Sequence, residues 1–325
     1  MIPRLFKTLL LRTLAATTCA LMANHALAQG SYPSRPIRII VCTAPGGATD
    51  LTTRLVAQKM GEKLGQSVVV ENKPGADTLL GILYAKEQPA DGYTLVAQSL
   101  NFSTLPYIKK TPGYSPTKDF IGVGTMSRVP FLMVVGGDEP SKSVSDYVAR
   151  AKKEHLSYGH GGTAGAPHIA GELFLRAHQI QAQAIPYKGN GAVMPDLIAG
   201  RVSFLFDAYV SSAGFLTSGR ARALAVANPT RLSVLPNVPT FKELGVDFNY
   251  GVWLGLLAKA GTPPDAVNKL SEALRYALAS EEVGGRLRSD GSDVSFMTPR
   301  DFTDYLAREY EDMGKVAAEL GFTKE

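Results

Sequence analysis

Cysteine is nearly absent: the 325 residues hold two, Cys19 and Cys42. Cys19 lies in an N-terminal stretch that reads as removable, which leaves one thiol and excludes an internal disulfide, so packing alone must hold the core. The chain also lacks an uncharged run of the roughly 20 apolar residues a membrane span needs; the run over residues 13–22 falls well short. There is no P-loop, no His-Glu-x-x-His and no G-x-S-x-G elbow, which removes the usual signatures of nucleotide hydrolysis, zinc proteolysis and α/β-hydrolase chemistry. His155, His160 and His178 follow no metal-binding spacing, and no metal set accompanies His168. No basic run or basic–aromatic stripe offers the concentrated positive face that nucleic acid requires.

Acidic residues are missing from residues 1–28, which carry Arg4, Lys7 and Arg12, then the apolar run, then Ala26-Leu27-Ala28. That order is a secretory signal peptide with an A-x-A site, and cleavage is expected after Ala28, before Gln29. The residues before Cys19, Ala16-Thr17-Thr18, match a lipobox poorly. Removing the leader leaves 31 basic against 29 acidic residues, so the formal charge falls from +5 to +2. The 297 residues from 29 onward suffice for two lobes.

What is present is a repeated device. Ile37-Arg38-Ile39-Ile40-Val41 runs into Pro45-Gly46-Gly47-Ala48-Thr49-Asp50 and then a helical pattern to about Leu64. A strand, a glycine turn and a helix N-terminus leave backbone N–H groups and the positive end of the helix dipole open to an anion. Tyr158 to His168, with Gly159, Gly161, Gly162 and Gly165, opens a second helical run over 169–177. Two such turns facing each other imply a cleft. Gly159-His160-Gly161-Gly162-Thr163-Ala164 fits G-x-G-x-x-A, but no acid lies about 20 positions on to hold a ribose.

Strands at 67–71 and 93–97 alternate with a helix at 78–86, which predicts a parallel sheet. A second set begins at 131–135, continues through a helix at 144–153, a strand near 184–187, a helix at 193–199, and strands at 202–206 and 221–227. A strand at 253–258 and helices at 264–274 and 299–320 close the chain. With no repeat and no long charged linker, the two lobes are expected to exchange strands across a hinge.

Several ordered stretches resemble the Bug or TctC family, the receptors of tripartite tricarboxylate transporters. They include Tyr32-Pro33-Ser34-Arg35-Pro36-Ile37, Pro45 to Asp50, Val69 to Ala76 and Ala90-Asp91-Gly92-Tyr93-Thr94-Leu95. Further on come Tyr187-Lys188-Gly189, Asp196 to Gly200, Arg231 to Thr240 and Ala260-Gly261-Thr262-Pro263-Pro264. The resemblance covers nearly all of the chain after the leader. It implies an α/β fold of the type II periplasmic binding protein kind, with residues 29–128 plus 249–325 as one lobe and 129–248 as the other. It also implies a monomeric receptor that closes on a small carboxylate, an organic acid, aromatic acid or amino acid, and delivers it to transporter membrane subunits. Neither cofactor, metal nor catalysis is implied. A ligand sensor for a membrane kinase is the alternative, and a secreted enzyme acting on a small acid is a third reading.

By position, the resemblance makes Ala44, Gly46, Gly47, Ala48 and Asp50 a first clamp, and Ala76, Asp77 and Thr78 the neighbouring turn. Ser99 and Asn101 follow at a strand end. From the second lobe come Gly161, Gly162, Thr163, Ala164, Gly165, Ala166 and His168, with Asp207 and Tyr209. Asp50, near a helix start, is expected to organise its turn. Asp77 stands where relatives usually have glycine, and either meets a donor on the ligand or caps the helix beginning near Leu79. Gly165 stands where the family usually places Ser or Thr, which shifts binding towards backbone N–H groups. His168 reads equally as a ligand contact or a structural hydrogen-bond partner. Tyr209 and Phe102 are either ring contacts or packing residues, and Cys42 is expected to be a buried small hydrophobe.

Overall fold

Strand β1 (Ile37–Val41) shows how the first lobe is assembled. Ile37, Ile39 and Val41 share one apolar cluster with Val56, Ala57 and Met60 of helix α1 (Ala48–Leu64), whereas Ile40 and Cys42 join Ile82 and Ala85 of α2 (Leu79–Glu87). Both faces are covered by helices, which is why this strand reads as a nearly continuous apolar run. The computed structural model describes residues 32–187, 189–322 and 324; the leader, its cleavage site and Lys188 lie outside the described residues.

β1 pairs in parallel with β2 (Val68–Asn72) on one side and β3 (Thr94–Gln98) on the other. The first three strands thus pair in parallel as expected, and beyond β3 the sheet turns antiparallel through β9 (Gly251–Lys259). The reason is β4, a 17-residue strand (Phe120–Gly136). Its residues from Phe120 to Pro130 pair antiparallel with β9, and those from Phe131 to Gly136 pair antiparallel with β7 (Leu205–Ala208) and β8 (Ala221–Val226). One strand thus belongs to both lobes. Where it crosses, Arg128 donates from Nη1 to Asn228 Oδ1 at 3.0 Å and from Nη2 to Asn249 Oδ1 at 2.6 Å.

In the second lobe β5 (Leu156–His160) runs parallel to β6 (Ala182–Pro186) and meets the chain entering β7 through Gly159 N–H to Phe204 O at 3.0 Å. Helices α4 (Val144–Ala151), α5 (Ala166–Ala177), α6 (Met194–Ile198) and α7 (Tyr209–Thr217) flank these strands. The chain closes with α8 (Pro264–Ala279) and α9 (Pro299–Glu319). Phe302 of α9 presses onto the sheet where β4 and β9 present Gly122 and Gly255; a side-chain carbon at Gly122 would lie 2.8 Å from its ring. Glu309 ties α9 to α3 (Asn101–Ile108) and β9, accepting from Ser103 Oγ at 2.7 Å, Trp253 Nε1 at 2.6 Å and Tyr305 OH at 2.8 Å. Burial pushes the Glu309 carboxyl up despite those three donors. Among the described residues no helix is long and apolar enough to cross a membrane.

Candidate functional site

β1 delivers the chain to a turn with Ala44 and Gly46 exposed and Gly47 and Ala48 half-buried. Gly46 has φ +90°, a conformation glycine adopts without a Cβ clash. Gly47 is the extended N-cap of α1 and supplies no side-chain bond to the helix end, so backbone N–H groups of the first turn are left to an outside acceptor. Asp50 is 2% exposed and fully used. Its Oδ2 accepts from Gly46 N–H at 2.9 Å; its Oδ1 accepts from Arg54 Nε at 3.0 Å and Asn72 Nδ2 at 2.9 Å. Burial alone would raise its pKa, but the bonds from Arg54, Gly46 and Asn72 win and hold the carboxyl below its usual range. Asn72 also donates to Thr43 O at 3.1 Å and accepts from Arg54 Nη2 at 2.6 Å. Asp50 shapes the turn and has neither oxygen left over for a ligand.

The second turn, residues 161–165, leads from β5 into α5 with Gly165 as an extended N-cap, again without a side-chain bond to the helix. Thr163 is exposed at its tip, Gly161 and Gly162 are half-buried, and Ala164, Gly165 and Ala166 are buried. Two histidines brace it. His168 Nδ1 accepts from Ala164 N–H at 2.9 Å, and His160 Nδ1 donates to Gly162 O at 2.9 Å. Their rings stack with centroids 4.0 Å apart. Burial, helped by the neighbouring His160, drives His168 down to about 3, and burial lowers His160 as well. Both are neutral at pH 7. Of the two roles open to His168, the structure fills the hydrogen-bonding one.

The turn at 75–78 joins the two. Gly75, Ala76, Asp77 and Thr78 all have positive φ, at +135°, +47°, +55° and +85°. Asp77 does not cap α2: the N-cap is Thr78, and it makes no side-chain bond to the helix. Asp77 Oδ2 instead pairs with Lys109 Nζ at 3.2 Å, and a side-chain carbon at Gly162 of the other lobe would lie 3.5 Å from Asp77 Oδ1. A carbon at Gly165 would likewise lie 3.5 Å from Asn101 Oδ1. Ser99, half-buried at the end of β3, accepts from Phe102 N–H at 2.9 Å through its carbonyl. Residues from both lobes therefore meet here.

Other candidates fall away from the meeting point. Asp207 is buried and accepts from Ser212 Oγ at 2.7 Å and Asn190 Nδ2 at 2.9 Å, while burial pushes its carboxyl up. It positions Asn190. Tyr209 starts α7, half-buried beside Leu232 and Val234 in an apolar cluster, and Phe102 is fully buried with ring centroids 5.3 Å from Tyr114 and 5.4 Å from Phe120. Phe102 is a packing residue. Cys42 Sγ accepts from Gln98 Nε2 at 2.8 Å, and burial pushes the thiol up to about 12.

Sequence reasoning missed Asn190, whose Nδ2 also donates to Phe206 O at 2.8 Å. Its Oδ1, with Thr43 Oγ1 and Thr78 Oγ1, is a buried polar atom without a hydrogen-bond partner. Such atoms ask for an acceptor, donor or water. Asn190 directly follows Tyr187-Lys188-Gly189, and Arg54 lies four residues after Asp50, so both had a usable signal. Lys109 had none. A groove of about 630 Å³ lies elsewhere, between α1 and β2, lined by Arg54, Gln58, Gly61, Gln66 and Val68 among others, with no second-lobe residue in its wall. Among the described residues no three His, Cys, Asp or Glu side chains gather as a metal site.

Comparison with known proteins agrees with this architecture. The family described as "Tripartite tricarboxylate transporter family receptor" matches residues 52–322. The UPF0065 protein in the TAR-I ttuE-ttuC' intergenic region of Agrobacterium vitis is 36% identical over 310 residues, 94% of this chain and 90% of its own. The structure of the periplasmic binding protein BugD superposes with a TM-score of 0.84 at 31% identity, covering 90% of this chain and all of its own. An R. palustris protein solved with adipate gives a TM-score of 0.85 at 31% identity, with the same coverage of both chains. The two-lobed fold, its paired glycine turns and these matches have one conclusion: the chain belongs to the receptor family of the tripartite tricarboxylate transporters.

Proposed function

We propose that this protein is an exported, periplasmic receptor that captures a small carboxylate between its lobes and hands it to a tripartite tricarboxylate-type membrane transporter. The observation that carries the reading is the pair of helix N-termini, at Gly47 and Gly165, that no side chain caps. Each leaves N–H donors and a positive dipole end, worth about 0.3–1 kcal/mol to an anion at an exposed end and more when water is excluded. Thr43, Thr78 and Asn190 add unpartnered polar atoms beside the same turns. The related protein solved with adipate supports a carboxylate as the ligand class. Ala44 to Ala48, Ala76 to Thr78, Ser99, Asn101 and Gly161 to Ala166 form the contact surface, while Asp50, His168 and Asp207 hold it in shape.

The lobes divide at 128/129 and 248/249, where β4 and the segment entering β9 cross side by side, and closure bends these two strands. Binding selects the closed form because only that form presents both turns to one ligand. Nothing in this arrangement requires turnover of the ligand. A thermal-shift screen of the purified protein against citrate, C4 dicarboxylates, adipate, amino acids, nicotinate and benzoates tests the reading. A true ligand at a hundredfold excess over its Kd should stabilise the protein by about 2.7 kcal/mol. A cooperative melt that no carboxylate moves would refute it. Pull-down of membrane proteins with ligand present should recover transporter subunits; recovery of a kinase instead would reassign the partner.

A further inference from the structure

Asp77 puts a carboxylate where the two lobes meet. Its φ of +55°, flanked by Ala76 at +47° and Thr78 at +85°, is a backbone state L residues rarely adopt. That conformation turns the side chain away from the end of α2, which it does not cap, and towards the second lobe. Oδ2 is held by Lys109 Nζ at 3.2 Å. Oδ1 receives no hydrogen bond from a described side chain or backbone group and lies 3.5 Å from the position of a side-chain carbon at Gly162. Burial lowers the pKa of His160, the ring behind Gly162, even with Asp77 nearby, so that imidazole brings no charge to Oδ1 at pH 7.

Within the second turn Gly162, Ala164 and Gly165 already donate inside the loop, and a ligand carboxylate seated on the N–H groups of Gly161 and Thr163 would lie against this oxygen. Two anions so close repel unless the ligand also supplies positive charge. An α-amino acid carries its ammonium one carbon from its carboxylate, so one end meets the turn while the other donates to Oδ1. Building on the carboxylate-receptor reading, we infer that Asp77 selects ligands with an amine beside the carboxylate, which makes zwitterionic α-amino acids the preferred class over plain acids. Lys109 holds Oδ2 of Asp77 in place and leaves the second oxygen to the ligand.

Calorimetric titration of the purified protein and of Asp77→Asn with matched pairs tests this. The pairs are aspartate with succinate, glutamate with glutarate, and phenylalanine with 3-phenylpropionate; adipate is run as a separate plain acid. In whichever pair binds, the wild type should favour the amino acid at least tenfold. Asp77→Asn should erase that ratio while the plain acid holds or gains affinity. Asp77→Gly, which takes φ +55° without strain, repeats the test should the Asn variant melt early. Equal affinities within a binding pair, or a ratio that survives both substitutions, overturn the inference. So does binding of adipate with no amino acid bound, an outcome that leaves the carboxylate reading standing. Failure of all seven probes overturns the inference, while the carboxylate reading is decided by the wider thermal-shift panel with citrate, nicotinate and benzoates.

Discussion

The two glycine turns solve one geometric problem with opposite chemistry. Each ends a strand, passes through glycine, and opens a helix whose N-cap is a glycine without a side-chain bond. The first is organised by charge: a buried Asp50 gathers Gly46, Arg54 and Asn72. The second is organised by neutral imidazoles, with His168 holding Ala164 and His160 holding Gly162. An anion-binding turn needs free N–H groups, and a fixed acid near them is tolerable only where its lone pairs are already committed. Asp50 meets that condition, and the second turn avoids the problem by having no acid in its own loop.

The contrast can be broken first by deletion. Asp50→Ala strips the partner from Arg54 and Asn72 and should destabilise the fold by about 2–3 kcal/mol, less than breaking a fully buried pair costs because Arg54 is half-exposed. His168→Ala should cost less, about 1–2 kcal/mol. Urea midpoints at pH 7 with unchanged slopes would show the order, and equal losses would mean that charge gives the first turn no special weight.

Acid should separate the turns next. His168 takes up a proton near 6.5 when unfolded but only near 3 when folded, so its contribution is whole above 6.5 and drains away as pH falls towards 3. The slope is about 1.4 kcal/mol per pH unit for one such group, or about 2 kcal/mol between pH 6.5 and 5. Asp50, with its folded pKa depressed, keeps its contribution above the ordinary carboxylate value and loses it only as pH falls through the lower folded one. Unfolding free energies at pH 7 and pH 5 should therefore fall for the wild type and fall less for His168→Asn. A flat profile over that range would contradict neutral, buried histidines.

The smallest expected effect compares matched serines. A side chain at Gly47 meets nothing within 4 Å, whereas one at Gly165 comes 3.1 Å from Gly162 O. Gly47→Ser should raise stability by a few tenths of a kcal/mol, about the usual gap between Gly and Ser at an N-cap, while occupying a donor meant for ligand. Gly165→Ser should show no gain. Differential scanning calorimetry can resolve the pair, and an equal rise in both would show that the second turn yields more readily than its contacts suggest.

Much of the fold was legible because its signals are local. The strand at 37–41 and the helices at 264–274 and 299–320 carry patterns that survive as Ile37–Val41, Pro264–Ala279 and Pro299–Glu319. The reading missed Asn101–Ile108 and Tyr209–Thr217, two short helices rich in apolar residues that offer no clear polar face to mark a 3.6-residue period. It also saw only 131–135 of β4. Residues 120–130 carry strand formers in Phe120, Ile121, Val123, Thr125 and Val129, but Gly122, Gly124 and Pro130 interrupt the pattern, and pairing with β9 holds the segment extended. In the candidate site, Asp50's place at a helix start was enough to assign it to the turn. Asp77 was misplaced as a helix cap in one of its two readings because nothing nearby in sequence announces three consecutive residues at positive φ.

The sequence alone determined where glycine turns follow strands and that two such turns open helix ends towards an anion. These follow from backbone sterics and side-chain period, properties set within a few neighbouring residues. Only the tertiary structure decided that β4 serves both lobes, that His160 stacks on His168, and that Lys109 holds Asp77 opposite Gly162. Those pairings join residues brought together by docking of whole elements, where packing and shared hydrogen bonds outweigh local preference.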